Sequence, residues 1–390
     1  METIKILIIY GGTLKKGGME TYLINYFNQL QGNGFQIDFI VTGKEKGVYD
    51  DYITSKQGNV YYVSPRSKGL FKNINEMKKI ICNNHYDIVH CHMDAANYYG
   101  LKVAYKCGVK VRIAHSHNTA FLTKNKLKLI NLKYIKKKIP NYSTHLFACS
   151  KVAGAWLYED AFNLDKPNCY VIPNAIETDR FKFNPEERHL LKEKLGLENK
   201  IIIGHVGRFD YQKNHEYILD IIDNMHTSNI KLLLFGEGHL KNTIEERAKQ
   251  KKIEDNIIFM GNKNDIQQYY NIMDVFILPS LFEGLPLTAI EAQANGLKVL
   301  LSSKITDEVA FDNKIKFIDI NKNNIDDWCN EILNYKYDLN ERKCSSTNNI
   351  ESLKNNNYDV ISAGKYLENI YKGLVSVKQN NIKLYKKRQT

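Results

Sequence analysis

Two rounds of strand–helix alternation run through the chain, and few architectures accept such a pattern. In the first round the β-branched runs are "IKILIIY", "FQIDFIV", "NVYYVSP", "YDIVHCH", "VRIAHSH", "HLFACS" and "YVIPNAI", with "GGMETYLINYFNQL" as the first helical interval. A polar helical stretch, "FNPEERHLLKEKLGLENK", intervenes. The pattern then restarts with "IIIGHVGRF", "KLLLFGEG", "NIIFMGN", "DVFILPS", "KVLLSS" and "IKFIDI". Strands that alternate with helices imply parallel pairing through crossover connections. The reading is an α/β chain of two doubly wound, Rossmann-like domains, residues 1–173 and 174–359, with the change-over inside the stretch 173–200. Ligands of such sheets bind beyond the carboxyl ends of the strands, so two sheets facing each other make a cleft. A length of 390 residues, 43% of them apolar, gives each domain a core of ordinary size.

Composition narrows the class further. The start "METIKILIIYGGT" has a short apolar run without a basic flank and cleavage-type site, so it reads as a first strand rather than a signal peptide. No apolar run approaches the length of a membrane span. Seven cysteines, an odd number with no C-x-x-C pair, argue against a disulfide framework and for a reducing, cytoplasmic compartment. The net charge of +12 is unevenly placed: residues 95–158 hold no Asp or Glu and twelve Lys and Arg. At the centre, "KNKLKLINLKYIKKKIP" carries seven lysines from Lys124 to Lys138. Such a run is either a solvated helix face or a surface for anionic headgroups, with nucleic acid a weaker alternative. Leu127, Leu129, Ile130, Leu132 and Ile135 scatter round a helical wheel, which speaks against deep insertion. The expectation is peripheral contact with the inner, anionic face of a membrane through residues 124–138, and no nucleic-acid partner.

The chemistry concentrates at strand ends. "LFEGLPLTAIEA" sets Glu283 and Glu291 eight positions apart, with Pro286 at the predicted first position of a helix. Glu283 then sits in a loop whose amides, at Gly284 and Leu285, face a helix N-terminus, a place that attracts phosphate. Carboxylates beside phosphate need hydroxylated partners such as a ribose or a hexose, and a nucleotide sugar combines all three parts. "GRFDYQKNHEYIL" presents Arg208 and Lys213 ahead of another helix, either as a diphosphate clamp or as ordinary surface cations. "LLLFGEGHLK" ends a strand in Gly236, Glu237 and Gly238, a turn whose glycines allow close approach to a flat ligand such as a nucleobase. "GGTLKKGGMETYL" places Gly17 and Gly18 at the mouth of the first strand, with Glu20 opening a helix; it is neither G-x-G-x-x-G nor a Walker loop. Histidines pair as "HCH" (His90, His92) and "HSH" (His115, His117) at two strand ends. No C-x-x-C or H-E-x-x-H spacing completes a metal site, so a polar role in the cleft is expected instead. No D-x-D is present to hold a divalent ion on a diphosphate. Cations and helix dipoles are left to meet the phosphate charge, and no metal cofactor is expected.

Taken in order, "GGMETYL", "RIAHSHN", "FACS", "VIPNAI", "GRFDYQKN" and the E-x7-E motif "EGLPLTAIE" resemble the retaining glycosyltransferases of family 4, which have the GT-B fold, over nearly the whole chain. Within that family "RIAHSHN" and "GGMETYL" are most similar to bacterial capsule and exopolysaccharide transferases. The resemblance implies two Rossmann-like domains facing across a cleft, an N-terminal acceptor domain and a nucleotide-sugar domain, with residues 360–390 crossing back to the first. It implies that Glu291 binds ribose hydroxyls and that Glu283 holds the transferred hexose. Arg208 and Lys213, with the amides of Gly284 and Leu285, would neutralise the leaving diphosphate, and Gly18 would approach the donor. A histidine near the sugar is implied at His115, with His117 as the alternative; Asn174 falls at the linker.

The implied reaction is transfer of a hexose or N-acetylhexosamine from a nucleotide sugar, most simply a UDP-sugar, with retention at the anomeric carbon. The acceptor implied is a lipid-linked glycan or oligosaccharide. Positioning and electrostatics would carry most of the rate, and no covalent nucleophile is required because the leaving diphosphate is already stabilised. Two other classes stay open at this point: a non-catalytic relative that uses its basic face for a membrane or nucleic acid, and a nucleotide-sugar epimerase.

Overall fold

The structure, a computed structural model, describes residues 3–387 except 16, 122 and 124, with side chains described to residue 376. It divides into two compact units, Met1–Ala175 with Val360–Thr390, and Ile176–Asp359. Unit 1 is built on a parallel sheet of seven strands: β1 (Ile4–Tyr10), β2 (Phe35–Thr42), β3 (Val60–Val63), β4 (Ile88–His92), β5 (Val111–Ser116), β6 (His145–Ala148) and β7 (Cys169–Val171). Their spatial order is β3-β2-β1-β4-β5-β6-β7. Helices α1 (Gly18–Leu30), α2 (Asp50–Ser55), α3 (Leu70–Asn84), α4 (Asn97–Lys106), α5 (Lys126–Lys136) and α6 (Lys151–Tyr158) make the connections.

Unit 2 repeats the plan with β8 (Ile201–Val206), β9 (Ile230–Phe235), β10 (Ile257–Gly261), β11 (Val275–Leu278), β12 (Lys298–Ser302) and β13 (Ile315–Ile318) in the order β10-β9-β8-β11-β12-β13. Its helices are α7 (Pro185–Lys194), α8 (His215–Asn224), α9 (Lys241–Gln250), α10 (Ile266–Ile272), α11 (Leu287–Ala294), α12 (Ile325–Leu333) and α13 (Leu339–Asn355). The last helix, α14 (Val360–Lys387), returns to unit 1, where Val360, Ala363, Leu367 and Tyr371 pack beside α1. Both sheets reverse direction once, between β1 and β4 and between β8 and β11. In open α/β sheets such a switch point is where ligands bind, beyond the carboxyl ends of the strands.

The cores explain why the strands were readable. Central parallel strands are covered on both faces and therefore read as unbroken apolar runs, as in "VFIL" of β11, every residue of which is buried. One face of the unit 1 sheet packs Ile6, Ile8, Ile88 and Ile113 against α1 and α14, while the other packs Leu7, Ile9, Val89 and Cys91.

Three details differ from the sequence reading. Pro286 is the N-cap, with helix α11 beginning at Leu287 rather than at the proline. Cys82, on α3, and Cys107, just after α4, are joined as a disulfide with Cα atoms 5.3 Å apart, although neither spacing nor count suggested any pairing. The apolar residues of α5 do not simply scatter. Ile135 is buried, whereas Leu127, Ile130 and Tyr134, spaced three and four apart, are 81%, 66% and 60% exposed. The helix therefore has an inner apolar side and a second, outward stripe among its lysines. Lys124 lies outside the described residues. Among the described residues no helix is long and apolar enough to cross a membrane.

Candidate active site

At the unit 2 switch point, the loop after β11 and the loop after β8 come together. Glu283, 7% exposed, accepts from Lys213 Nζ at 2.6 Å and from Gln212 Nε2 at 3.1 Å. Gln212 Nε2 also donates to the Phe282 carbonyl at 2.9 Å, and Leu281 N donates to the Gln212 carbonyl at 2.9 Å, so two stretches some seventy residues apart are laced together. Asp210 shapes the first loop: its carboxylate accepts from the backbone of Gln212 at 3.1 Å and Lys213 at 3.4 Å. Asn214 then takes a left-handed φ of 55° and α8 begins. Lys213 and Arg208 have different surroundings. Lys213 is largely enclosed against Glu283, while Arg208 is 74% exposed and touches Asp210 at 3.4 Å.

Glu291 lies on α11, where Tyr270 donates to its Oε2 at 2.7 Å. Burial pushes its carboxyl up to about 7, against the Tyr270 hydrogen bond and the charges of Arg180 and Lys213, which act the other way. Tyr270 is itself held from behind. Arg342, wholly buried on α13, donates to the Tyr270 carbonyl at 2.8 Å and to the Met273 carbonyl at 2.7 Å, and stacks on Phe183. A guanidinium with several carbonyl acceptors can stay inside a protein because its donors are satisfied.

Gly236 and Gly238 have a structural reason that the sequence reading did not contain. A Cβ on Gly236, at φ +134°, would stand 2.1 Å from the Gly207 carbonyl oxygen, and one on Gly238 would stand 2.4 Å from that of Phe209. They let the turn after β9 lie directly on the 207–209 loop that carries Arg208. Glu237 pairs with Lys241 at 2.9 Å. Below this loop His205, donating from Nδ1 to the Ile277 carbonyl at 2.9 Å, and His215, stacked on Phe209 at 4.1 Å, are buried, which lowers them to about 3 and about 2.

In unit 1 the switch point lies between β1 and β4. Gly17 is the extended N-cap of α1 and, like Gly18, is exposed; Glu20 accepts from Tyr10 at 2.7 Å. Four histidines, His90 and His92 on β4, His115 on β5 and His117 just after it, converge under α1. His90 Nε2 lies 3.0 Å from His115 Nδ1, and His92 Nδ1 lies 2.9 Å from His117 Nε2. The rings of His115 and His117 stack at 4.1 Å. Burial holds all four imidazoles below their ordinary range, His117 at about 3. His115 has no exposed surface and His117 keeps 8%, so of the two it is His117 that reaches outward. Asp94, at φ 47°, braces this end by accepting from the His117 amide at 2.9 Å and Asn118 Nδ2 at 2.6 Å. The nitrogens of His90, His92 and His115 lie within 4.8 Å of one another, close enough for a metal ion, with no carboxylate in the group. Asn174 is half-buried just after β7.

Sequence reasoning found Glu283, Glu291, Arg208 and Lys213 as one cluster, and the structure brings all four to the β8–β11 switch point. It missed Asp210, Gln212, Tyr270 and Arg342. Asp210 and Gln212 stand within "GRFDYQKN" and could have been picked up from the capping pattern D-x-Q/K; Tyr270 and Arg342 carry no local signal.

Comparison with known proteins bears on this geometry. The family profile "Glycosyltransferase Family 4" matches residues 16–180 and "Glycosyl transferases group 1" matches residues 187–349. The chain is 32% identical over 314 residues to the putative glycosyltransferase EpsF of Bacillus subtilis, covering 78% of this chain and 80% of that protein. It is 26% identical over 332 residues to an Escherichia coli UDP-Gal:alpha-D-GlcNAc-diphosphoundecaprenol alpha-1,3-galactosyltransferase, covering 81% and 84%. Among solved structures it superposes on Anabaena HepE in complex with UDP-glucose with a TM-score of 0.76 at 15% identity, over 95% of this chain and 100% of that one.

Proposed function

The chain belongs to the family 4, group 1 glycosyltransferases, hexosyltransferases of polysaccharide biosynthesis with the GT-B fold, and on that premise we propose that it transfers a hexose or N-acetylhexosamine from a UDP-sugar to a lipid-linked glycan with retention of configuration. The observation that carries this reading is the paired arrangement at the β8–β11 switch point: Glu283 on Lys213 in the loop ahead of α11, and Glu291 on Tyr270 within that helix.

Glu283 accepts hydroxyl protons of the transferred sugar and Glu291 those of the ribose. Lys213 and Arg208 take the charge of the departing diphosphate, together with the backbone at Gly284 and Leu285 before α11. The Lys213–Glu283 ion pair holds the lysine in place before the donor arrives, and a charge fixed in advance needs no reorganisation as the leaving group develops. Gly236 and Glu237 border the same strand ends on the nucleobase side. In unit 1, Gly17, Gly18, Glu20 and Asn174 belong to the ligand-facing end, and His117 rather than His115 meets the ligand, since His115 is enclosed. Fixed cations do the work of a metal at the diphosphate, and the reaction is metal-independent. The UDP moiety is supported by a relative named for a UDP-galactose donor and a structural neighbour holding UDP-glucose; the lipid-linked acceptor is supported by the diphosphoundecaprenol in that relative's name.

The outward stripe of Leu127, Ile130 and Tyr134 among the lysines of α5 suits shallow seating on an anionic bilayer, where charge brings the helix to the surface and the apolar stripe enters the headgroup boundary. A cytoplasmic protein peripheral to the inner membrane face follows from that reading. The test of the site is turnover of a UDP-sugar with a polyprenyl-diphosphate glycan. Glu283→Ala and Lys213→Ala are each expected to lower it by at least about tenfold while the protein stays folded. Wild-type turnover in both would remove the site assignment.

A further inference from the structure

One part of unit 1 is defined by hydrogen-bond arithmetic rather than by resemblance to the site in unit 2. Tyr371, on α14, is buried, and the partner of its hydroxyl among the described residues is His90 Nδ1 at 2.7 Å. His90 Nε2 meets His115 Nδ1 at 3.0 Å, and Tyr22, on α1, approaches that same Nδ1 at 3.5 Å. His115 Nε2 is buried and has no partner among the described residues. A neutral imidazole has one N–H and one bare nitrogen, so protons can be placed along this chain in two directions only.

In the first, Tyr371 donates to His90 Nδ1, His90 Nε2–H donates to His115 Nδ1, Tyr22 donates weakly to the same nitrogen, and the proton of His115 sits on Nε2. One donor, His115 Nε2–H, is left without an acceptor. In the second, His90 donates from Nδ1 to the Tyr371 oxygen and His115 donates from Nδ1 to His90. Two phenolic protons, those of Tyr371 and Tyr22, are then left without acceptors in the core, and His115 Nε2 is bare as well. An unmet buried donor is costly, so the direction that strands one prevails over the direction that strands two. Burial keeps both phenols protonated and the imidazoles neutral, which leaves no charged alternative.

We infer that Tyr371, acting through His90, and Tyr22, acting on His115 directly, are positioning residues that lock His115 in its Nε2–H form, and that His115 in turn fixes the ring of His117, on which it stacks. The role in transfer rests on the assignment of His117 to the ligand; the proton placement does not. The C-terminal helix thereby sets an imidazole at the strand ends of unit 1, and the stranded His115 Nε2–H is the free end of the chain. Metal ligation by His90, His92 and His115 is the competing use of the same atoms. It suits this place poorly, because the adjoining cavity of about 10 Å³ is walled largely by side chains such as Ile6, Ile8, Phe27 and Leu30, with no carboxylate to offset an ion.

The test is long-range proton–nitrogen NMR of the full chain labelled with ¹⁵N-histidine, in wild type, Tyr371→Phe and Tyr22→Phe/Tyr371→Phe. The wild type is expected to show His115 protonated at Nε2 alone. Without both phenols the two directions strand equal numbers of groups, so the double variant is expected to show both tautomers, with the single variant between. Its kcat is expected to fall by about tenfold, with the donor KM unchanged within roughly twofold, because orientation and not affinity is lost. A His115 proton on Nδ1 in the wild type, an unchanged tautomer in the double variant, or about one equivalent of transition metal in untagged protein would each overturn the inference. Full kcat in the double variant overturns the positioning role, unless His117→Ala is also fully active, in which case the assignment of His117 is what has failed while the NMR outcome still decides the proton placement.

Discussion

Replacing Glu291 by Gln separates the stability of the site from its chemistry. Glu291 has an ordinary carboxyl value of 4.5 that burial raises to about 7. Between those two values the folded protein holds a proton that the unfolded chain has lost, so stability must fall as pH rises from about 4.5 to about 7, and level off above. Two and a half pH units at about 1.4 kcal/mol each give about 3.5 kcal/mol, and the part of Glu291 that still faces solvent reduces this to ~2 kcal/mol. The buried histidines act in the opposite sense. Imidazoles held below 6.5, as at His117 and His205, both near 3, contribute stability that is complete above 6.5 and lost as pH falls below it. The wild-type profile sums both effects, so the informative quantity is the difference between Glu291→Gln and wild type in urea unfolding at pH 5, 6, 7 and 8. Gln keeps the acceptor for Tyr270 and removes the titration. The variant is expected to match the wild type at pH 5 and to exceed it by ~2 kcal/mol at pH 8. Donor affinity is expected to fall over the same range, because the amide accepts ribose hydroxyls less strongly than a carboxylate. A constant difference between pH 5 and 8 would refute the claim that Glu291 is held protonated well above its ordinary range, and with it the cost ascribed to burying a carboxylate there.

Two other perturbations probe packing and surface. Gly236→Ala places a Cβ 2.1 Å from a backbone oxygen, at a φ of +134°, so the 207–209 loop must move; a loss of ~3 kcal/mol or more in unfolding free energy is expected, and a loss under about 1 kcal/mol would show that the turn yields freely. Ile130→Asp is expected to cut binding to anionic vesicles by about tenfold while leaving turnover on a soluble acceptor unchanged. Equal vesicle binding would mean that the lysines alone hold the surface.

The strands were legible because burial on both faces of a parallel sheet writes an apolar run into consecutive residues, and the E-x7-E spacing was legible because loop and helix are adjacent in sequence. What the sequence did not reveal lies in contacts between distant segments. Lys213 read as a free phosphate ligand because its partner Glu283 is seventy positions away, and the pairing exists only since β8 and β11 are neighbours. Gly236 read as a place for close approach of a ligand, and the sequence did not show that the protein's own backbone approaches there as well. "HCH" and "HSH" read as two separate pairs, yet β4 and β5 adjoin, and residues two apart on a strand share a face, so four imidazoles meet. That meeting also explains the difference between His115 and His117. The last residue of a strand-end pair stands nearer the open edge, so the outer histidine keeps contact with the outside while the inner one is closed in by α1 and α14. Spacing alone could identify the pair; only the helices packed over it determine which member is left to act.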